Sequence, residues 1–144
     1  MKLSEHFKVS EEVKKAQRQG QAVVALESAV LTHGLPRPQN LDLAQDMEAT
    51  VRTEGCAPAS IGILGGQILV GMEAGEMEQL AEAEGARKLS SRDLASAIVD
   101  KADGGTTVAG TLRVAAQAGI RVFATGGIGG VHRGSAWDVS ADLS

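Results

Sequence analysis

The residues of this chain best suited to chemistry lie at the ends of apolar runs and in one glycine-rich stretch. Glu27 closes the run AVVAL over 22–26, where an α/β sheet normally presents its reactive groups. A carboxyl half-sheltered there acquires a raised pKa and can serve as general acid or base; the plain alternative is an exposed strand-end charge or a helix-capping acid. His33, in the connection SAVLTHGLPRP that follows, either faces a ligand or is simply solvated. Residues 125–134, TGGIGGVHRG, hold five glycines in ten positions, and such a loop can turn its N–H groups toward an anion or merely form a tight turn. It is not a Walker A loop, because no Gly-Lys-Ser/Thr follows, and His132 takes the slot of the last glycine in a dinucleotide pattern. Lys88, just ahead of Ser90, can offer an ammonium to a phosphate at a helix N-terminus, or is an ordinary surface lysine. Asp138 and Asp142 supply hard oxygen donors suited to Mg or Mn. Cys56 has no activating base nearby in sequence and reads as a small buried residue.

The elements that must hold these groups follow from periodicity and glycine punctuation. A charged helix over 9–19 ends at Gly20, and AVVAL is a strand buried on both faces. Asn40 is placed to cap a helix whose inward positions are Leu43, Met47 and Val51, ended by Gly55. Runs 59–64 and 67–70 flank Gly65-Gly66 as a hairpin. An acidic helix over 73–84 stops at Gly85, and Ser90 with Asp93 forms a capping box for a helix carrying Leu94, Ala95 and Ile98. Gly104-Gly105 ends that helix; Thr106 or Thr107 opens another with Val108, Leu112, Ala115 and Ala116 inward, and IRVFA over 120–124 is a second buried strand. This alternation of helix and strand predicts an α/β fold.

Composition narrows the partners. With 2% aromatic residues and a net charge of -4, the chain has neither the stacking surfaces nor the positive field of a polynucleotide binder. One cysteine, and no apolar run of membrane length, predict a soluble, cytoplasmic protein with no membrane partner.

Taken together, ALESAVLTHGLPRPQN (25–40), KLSSRDL (88–94), GGTTVAGTL (104–112) and FATGGIGGVHRG followed by DVSADL (123–143) resemble the pseudouridine-5'-phosphate glycosidase family. The resemblance implies a three-layer α/β/α fold with a mixed central sheet. It implies a Mn-dependent, homotrimeric lyase or glycosidase of pseudouridine catabolism that reversibly cleaves the C–C glycosidic bond of pseudouridine 5'-phosphate, giving ribose 5-phosphate and uracil. By the same resemblance Glu27 is the proton donor, Asp138 the manganese ligand, and Lys88, Val108, Ser140, Ala141 and Asp142 contact substrate, while His132 and the glycines before it shape the phosphate end of the pocket. The family's nucleophile is a lysine that forms a Schiff base with the sugar, in a Cys-Ala-Gly-Ala-Lys-Ser motif beyond the aspartate segment. That motif is not among these 144 residues, and Lys14, Lys15, Lys88 and Lys101 lie in other contexts. The expectation is therefore one unit over 1–144 that corresponds to the N-terminal half of the family's domain, lacks lyase activity by itself, and exposes apolar sheet edges. Two other readings stay open: a non-catalytic phosphosugar-binding module, and an unrelated α/β enzyme whose glycine loop takes a different phosphorylated ligand.

Overall fold

The computed structural model describes residues 3–134 and 137–144. The strands are β1 (Phe7–Val9), β2 (Val23–Leu26), β3 (Ala57–Leu64), β4 (Gln67–Val70), β5 (Arg87–Leu89), β6 (Gly104–Thr106) and β7 (Val122–Ala124). The helices are α1 (Glu11–Arg18), α2 (Gln39–Thr53), α3 (Ala74–Glu82), α4 (Leu94–Val99) and α5 (Val108–Gln117). The strands form one mixed sheet in the order β1-β4-β3-β2-β7, with β6 joining β3 to β5. None of the described helices is long and apolar enough to cross a membrane.

Strand β3 organises the sheet because its alternate side chains face two different layers. Ala57, Ala59, Ile61 and Ile63 join the larger core with Val13 and Ala16 of α1, Leu94 and Ala97 of α4, and Val114 and Ala115 of α5. On the opposite face Ser60 meets Glu48 of α2 at 2.7 Å, and Gly62 leaves space that Leu80 of α3 and Met72 occupy. Helices thus cover both faces, which is the three-layer arrangement expected. The first half of β3 pairs in parallel with β2, Ala57–Ser60 against Val23–Leu26, and the second half pairs antiparallel with β6 at Gly62↔Gly105 and Ile63↔Gly104. Between β2 and β6 lies a seam. Ser28, completely buried, closes it by donating to the Ile61 carbonyl at 2.5 Å and accepting from the Thr106 N–H at 3.0 Å.

The Gly65-Gly66 hairpin is present, with φ of 55° and 79°, the left-handed pair a tight two-residue turn needs. Several sequence expectations need correction. Val9 belongs to strand β1, paired in parallel with β4, and the first helix starts after Ser10, whose Oγ accepts from the Val13 N–H at 3.3 Å. Gly104 and Gly105 do not stop a helix; they are buried in β6, where a Cβ on either would collide with Leu89, Thr32 or the Ser28 backbone. Thr106 is in the strand and Thr107 caps α5. Leu112 of α5 is 49% exposed while Thr111 is buried, because Thr111 and Thr106 satisfy each other at 2.8 Å.

Helix α2 is turned by polar contacts rather than by its apolar stripe. Its buried residues are Asn40, Ala44 and Glu48, and Leu43 is exposed. Asn40 does not cap the helix; its Nδ2 donates to the Leu31 carbonyl at 2.7 Å and its Oδ1 accepts from the Leu41 N–H. Glu48 accepts from Ser60 and from Arg52, which also forks onto Glu12 of α1 with two contacts of 2.9 Å. Buried polar groups that are fully paired carry no orphan penalty, so this face packs inward. Asp93 accepts from both Ser90 N–H and Ser90 Oγ, but α4 begins at Leu94 with Asp93 in the N-cap place and no side-chain cap bond, so the capping box expected at Ser90 does not form. Cys56 is half-buried rather than buried, and β7 exposes Val122 and Ala124 as an edge of the sheet.

A candidate active site at the strand ends

The parallel pairing of β2 with β7 ends at Leu26↔Ala124, so the next residue of each strand, Glu27 and Thr125, emerges at the same edge. Thr125 Oγ1 donates to Glu27 Oε1 at 2.8 Å. Burial pushes the Glu27 carboxyl above the usual carboxylate range; the Thr125 hydrogen bond opposes this, the negative charge of Asp142 adds to it, and the positive charge of Lys88 subtracts from it. These influences put three sequence-predicted residues, Glu27, Lys88 and Asp142, in one electrostatic neighbourhood. Lys88 sits in the short strand β5, exposed, opposite Gly105 of β6.

The carboxy-terminal turn Ala141–Leu143 folds back onto the start of α5. Thr107 Oγ1 donates to the Ala141 carbonyl at 2.9 Å. Asp142 accepts from the Gly129 N–H at 2.8 Å and, more loosely, from the Val108 N–H at 3.4 Å. The glycine loop does turn an N–H toward an anion, and in this structure the anion is the Asp142 carboxylate. Ser140 Oγ accepts from the Asp142 N–H at 3.1 Å and lies where a Cβ on Gly129 would fall, so glycine is required for the close approach. Val108, Ser140, Ala141 and Asp142 are therefore gathered at the α5 N-terminus; Val108 contributes its backbone, its side chain being buried.

Asp138 and His132 pair with each other rather than with this group. A bridge pairs Val131 with Val139, and across it His132 Nδ1 meets Asp138 Oδ2 at 2.5 Å, both side chains exposed. The two carboxylates of the segment thus have different partners. Among the described residues no group of three or more His, Cys, Asp or Glu could hold a metal ion. Asp138 and His132 alone cannot enclose a divalent ion, so a metal here would be held by the Asp138 carboxylate and complete its shell with water. His33 is exposed and bonded to Thr32 at 2.7 Å.

Sequence reasoning missed Thr125 and Ser28, and named Thr107 only as one of two candidate starts for α5, without its bond to Ala141. The signal for Thr125 was its place immediately after a strand parallel to the one that delivers Glu27. Beside Glu27 runs an apolar trough of about 510 Å³ whose walls include Leu43, Met47 and Val51, the face of α2 that does not enter the core, together with Val30 and Thr125.

Comparison with known proteins agrees with this architecture. Over 96% of the chain, 56% of residues are identical to a pseudouridine-5'-phosphate glycosidase of Chloroflexus aurantiacus, of which 46% is covered. The identity is 49% over 99% of the chain with the same-named protein of Deinococcus radiodurans, again covering 46% of it. The chain thus spans about half the length of the curated relatives it matches. Two crystal structures superpose on 95% of the chain. One is an indigoidine synthase A-like protein from Thermotoga maritima, with TM-score 0.82, 36% identity and 44% of that chain covered. The other is the prealnumycin C-glycosynthase AlnA in complex with ribulose 5-phosphate, with TM-score 0.83, 42% identity and 45% covered. Residues 12–144 match the family described as indigoidine synthase A like protein, and with relatives named pseudouridine-5'-phosphate glycosidase at this identity, the chain belongs to that family.

Proposed function

We propose that the cleft around Glu27 serves the reversible cleavage, with uptake of water, of the C–C glycosidic bond of pseudouridine 5'-phosphate to ribose 5-phosphate and uracil, with Glu27 as proton donor to the base and water supplying the oxygen at the sugar's C1. The observation that carries the reading is the half-buried Glu27 carboxyl, held by Thr125 and within electrostatic reach of Lys88 and Asp142. A C-glycoside offers no leaving oxygen, so the proton must go to the departing base. A carboxyl that keeps its proton to higher pH than a solvated one is suited to give it. Lys88 supplies a cation for the sugar phosphate, Val108 and the segment Ser140–Asp142 line the substrate, and His132 with the glycines before it forms the phosphate end. The ribulose 5-phosphate bound to AlnA, 42% identical, supports a phosphorylated pentose as ligand.

Schiff-base chemistry on the sugar needs an amine free to attack. Lys8 and Lys14 pair with Glu76 and Glu11, Lys15 lies on α1 and Lys101 beside the Gly65-Gly66 hairpin, and Lys88 is read as a binding group, so no described lysine is assigned as the nucleophile. Manganese at Asp138 stays in the proposal as an ion held by one carboxylate and water, and no step is routed through it. Homotrimeric assembly and a cytoplasmic setting belong to the same reading.

The test is calorimetric titration of the full chain with ribose 5-phosphate, alongside incubation with pseudouridine 5'-phosphate and Mn²⁺ and borohydride trapping. Saturable binding, absent with unphosphorylated ribose and weakened about tenfold or more in Lys88→Ala by loss of an ion pair to phosphate, supports the reading. Absence of binding overturns it. Irreversible gain of the sugar's mass on Lys88 would overturn the assignment of Lys88 as a binding group.

A further inference from the structure

The Thr125 hydroxyl has more neighbours than its one proton can serve. Its Oγ1 lies 2.8 Å from Glu27 Oε1 and 2.9 Å from the Gly127 carbonyl, and it accepts from the Gly127 N–H at 3.2 Å. A threonine hydroxyl donates once and accepts twice. When Glu27 is ionised, the hydroxyl must donate to the carboxylate, and the Gly127 carbonyl is left to solvent. When Glu27 is protonated, its own O–H can donate to Thr125 Oγ1, which is then released to donate to the Gly127 carbonyl while still accepting from the Gly127 N–H. Both arrangements fit the same heavy-atom positions, and each satisfies every donor.

We propose that Thr125 is a positioning residue whose hydroxyl proton follows the protonation state of Glu27 and passes that state to the glycine loop through Gly127. Its functional meaning rests on Glu27 being the proton donor: the loop reads whether the acid is loaded. The charged groups facing Glu27 are Asp142 from the carboxy-terminal turn and Lys88 from β5, with Asp46 of α2 across the trough. They set where Glu27 titrates, but none of them hydrogen-bonds to Gly127.

The experiment is an NMR pH titration of the full chain that follows the Glu27 side-chain carboxyl carbon and the Gly127 amide together. In the unsubstituted protein the Gly127 amide is expected to inflect at the Glu27 midpoint. In Thr125→Val the Glu27 midpoint moves up, since a hydrogen bond favouring the carboxylate is gone, and the Gly127 inflection disappears. In Thr125→Ser both features return. A Gly127 amide flat through the Glu27 titration in the unsubstituted chain, or a Thr125→Val profile indistinguishable from it, overturns the proposal. Failure to bind ribose 5-phosphate would overturn the enzymatic reading alone, because the titration needs no ligand.

Discussion

Replacing Ser28 with alanine tests whether the seam between β2 and β6 is held by one hydroxyl. Ser28 is wholly buried, so water cannot replace what it loses. Its Oγ both donates to the Ile61 carbonyl at 2.5 Å and accepts from the Thr106 N–H at 3.0 Å. The carbonyl keeps a second donor, Thr106 Oγ1 at 2.7 Å, so its share of the loss is small. The N–H is the costly partner, since a buried donor deprived of its acceptor costs about 1–3 kcal/mol. With the forfeited bond to Ile61, Ser28→Ala should destabilise the fold by about 2–3 kcal/mol. At a urea dependence of about 2 kcal/mol per molar, the unfolding midpoint falls by about 1–1.5 M with unchanged slope. Ser28→Cys, similar in size with a weaker donor, should fall between. Thr106→Val removes the other hydroxyl on the same carbonyl, and the double variant should be non-additive because the two share that acceptor. A Ser28→Ala midpoint within about 0.2 M of the unsubstituted chain would refute the reasoning.

Three further outcomes follow from the same geometry. Arg52→Ala strands the buried Glu48 carboxylate with only Ser60 and should cost about 2–4 kcal/mol. Glu12→Ala, on the exposed arm of the fork, should cost under about 1 kcal/mol, and urea titration separates the two. Native Glu27 binds its proton more tightly than the unfolded chain does, so its stabilising contribution is full below the ordinary carboxylate range and is lost as pH rises through the raised folded value. Glu27→Gln, which keeps an acceptor for Thr125, should therefore gain in relative stability as pH rises above the ordinary carboxylate value of 4.5, and a pH-independent difference would contradict this. Paramagnetic broadening by Mn²⁺ should centre on Asp138 and His132 and vanish in Asp138→Asn; broadening centred elsewhere would remove Asp138 from the proposal.

Much of the framework was legible where local pattern and tertiary demand agree. The run AVVAL is a central strand because both faces of the sheet are covered, and the hairpin at Gly65-Gly66 follows from a turn that only positive φ permits. What escaped is equally physical. Strands β1, β5 and β6 have three residues each, too few for a period to show. The glycines of β6 looked like a helix stop because nothing in the sequence reveals that Leu89 and the Ser28–Thr32 segment press against their Cα atoms. On α2 the apolar spacing of Leu43, Met47 and Val51 pointed to the wrong face, since Asn40 and Glu48 find buried partners that only the folded chain supplies. The site divides similarly. Glu27 was visible from its place at a strand end, whereas Thr125 depends on β7 lying beside β2 in that register.

The central proposal is that Glu27, Lys88, Val108 and the turn holding Asp142 make one sugar-phosphate cleft. Mapping ribose 5-phosphate onto the full chain by amide chemical-shift perturbation tests it directly. The account predicts the largest shifts at Lys88, Val108, Gly129 and Asp142, with Glu27 and Thr125 moving at the same ligand concentration. Perturbations confined to another surface, such as the cleft between α1 and α2 that holds Arg52, would contradict it.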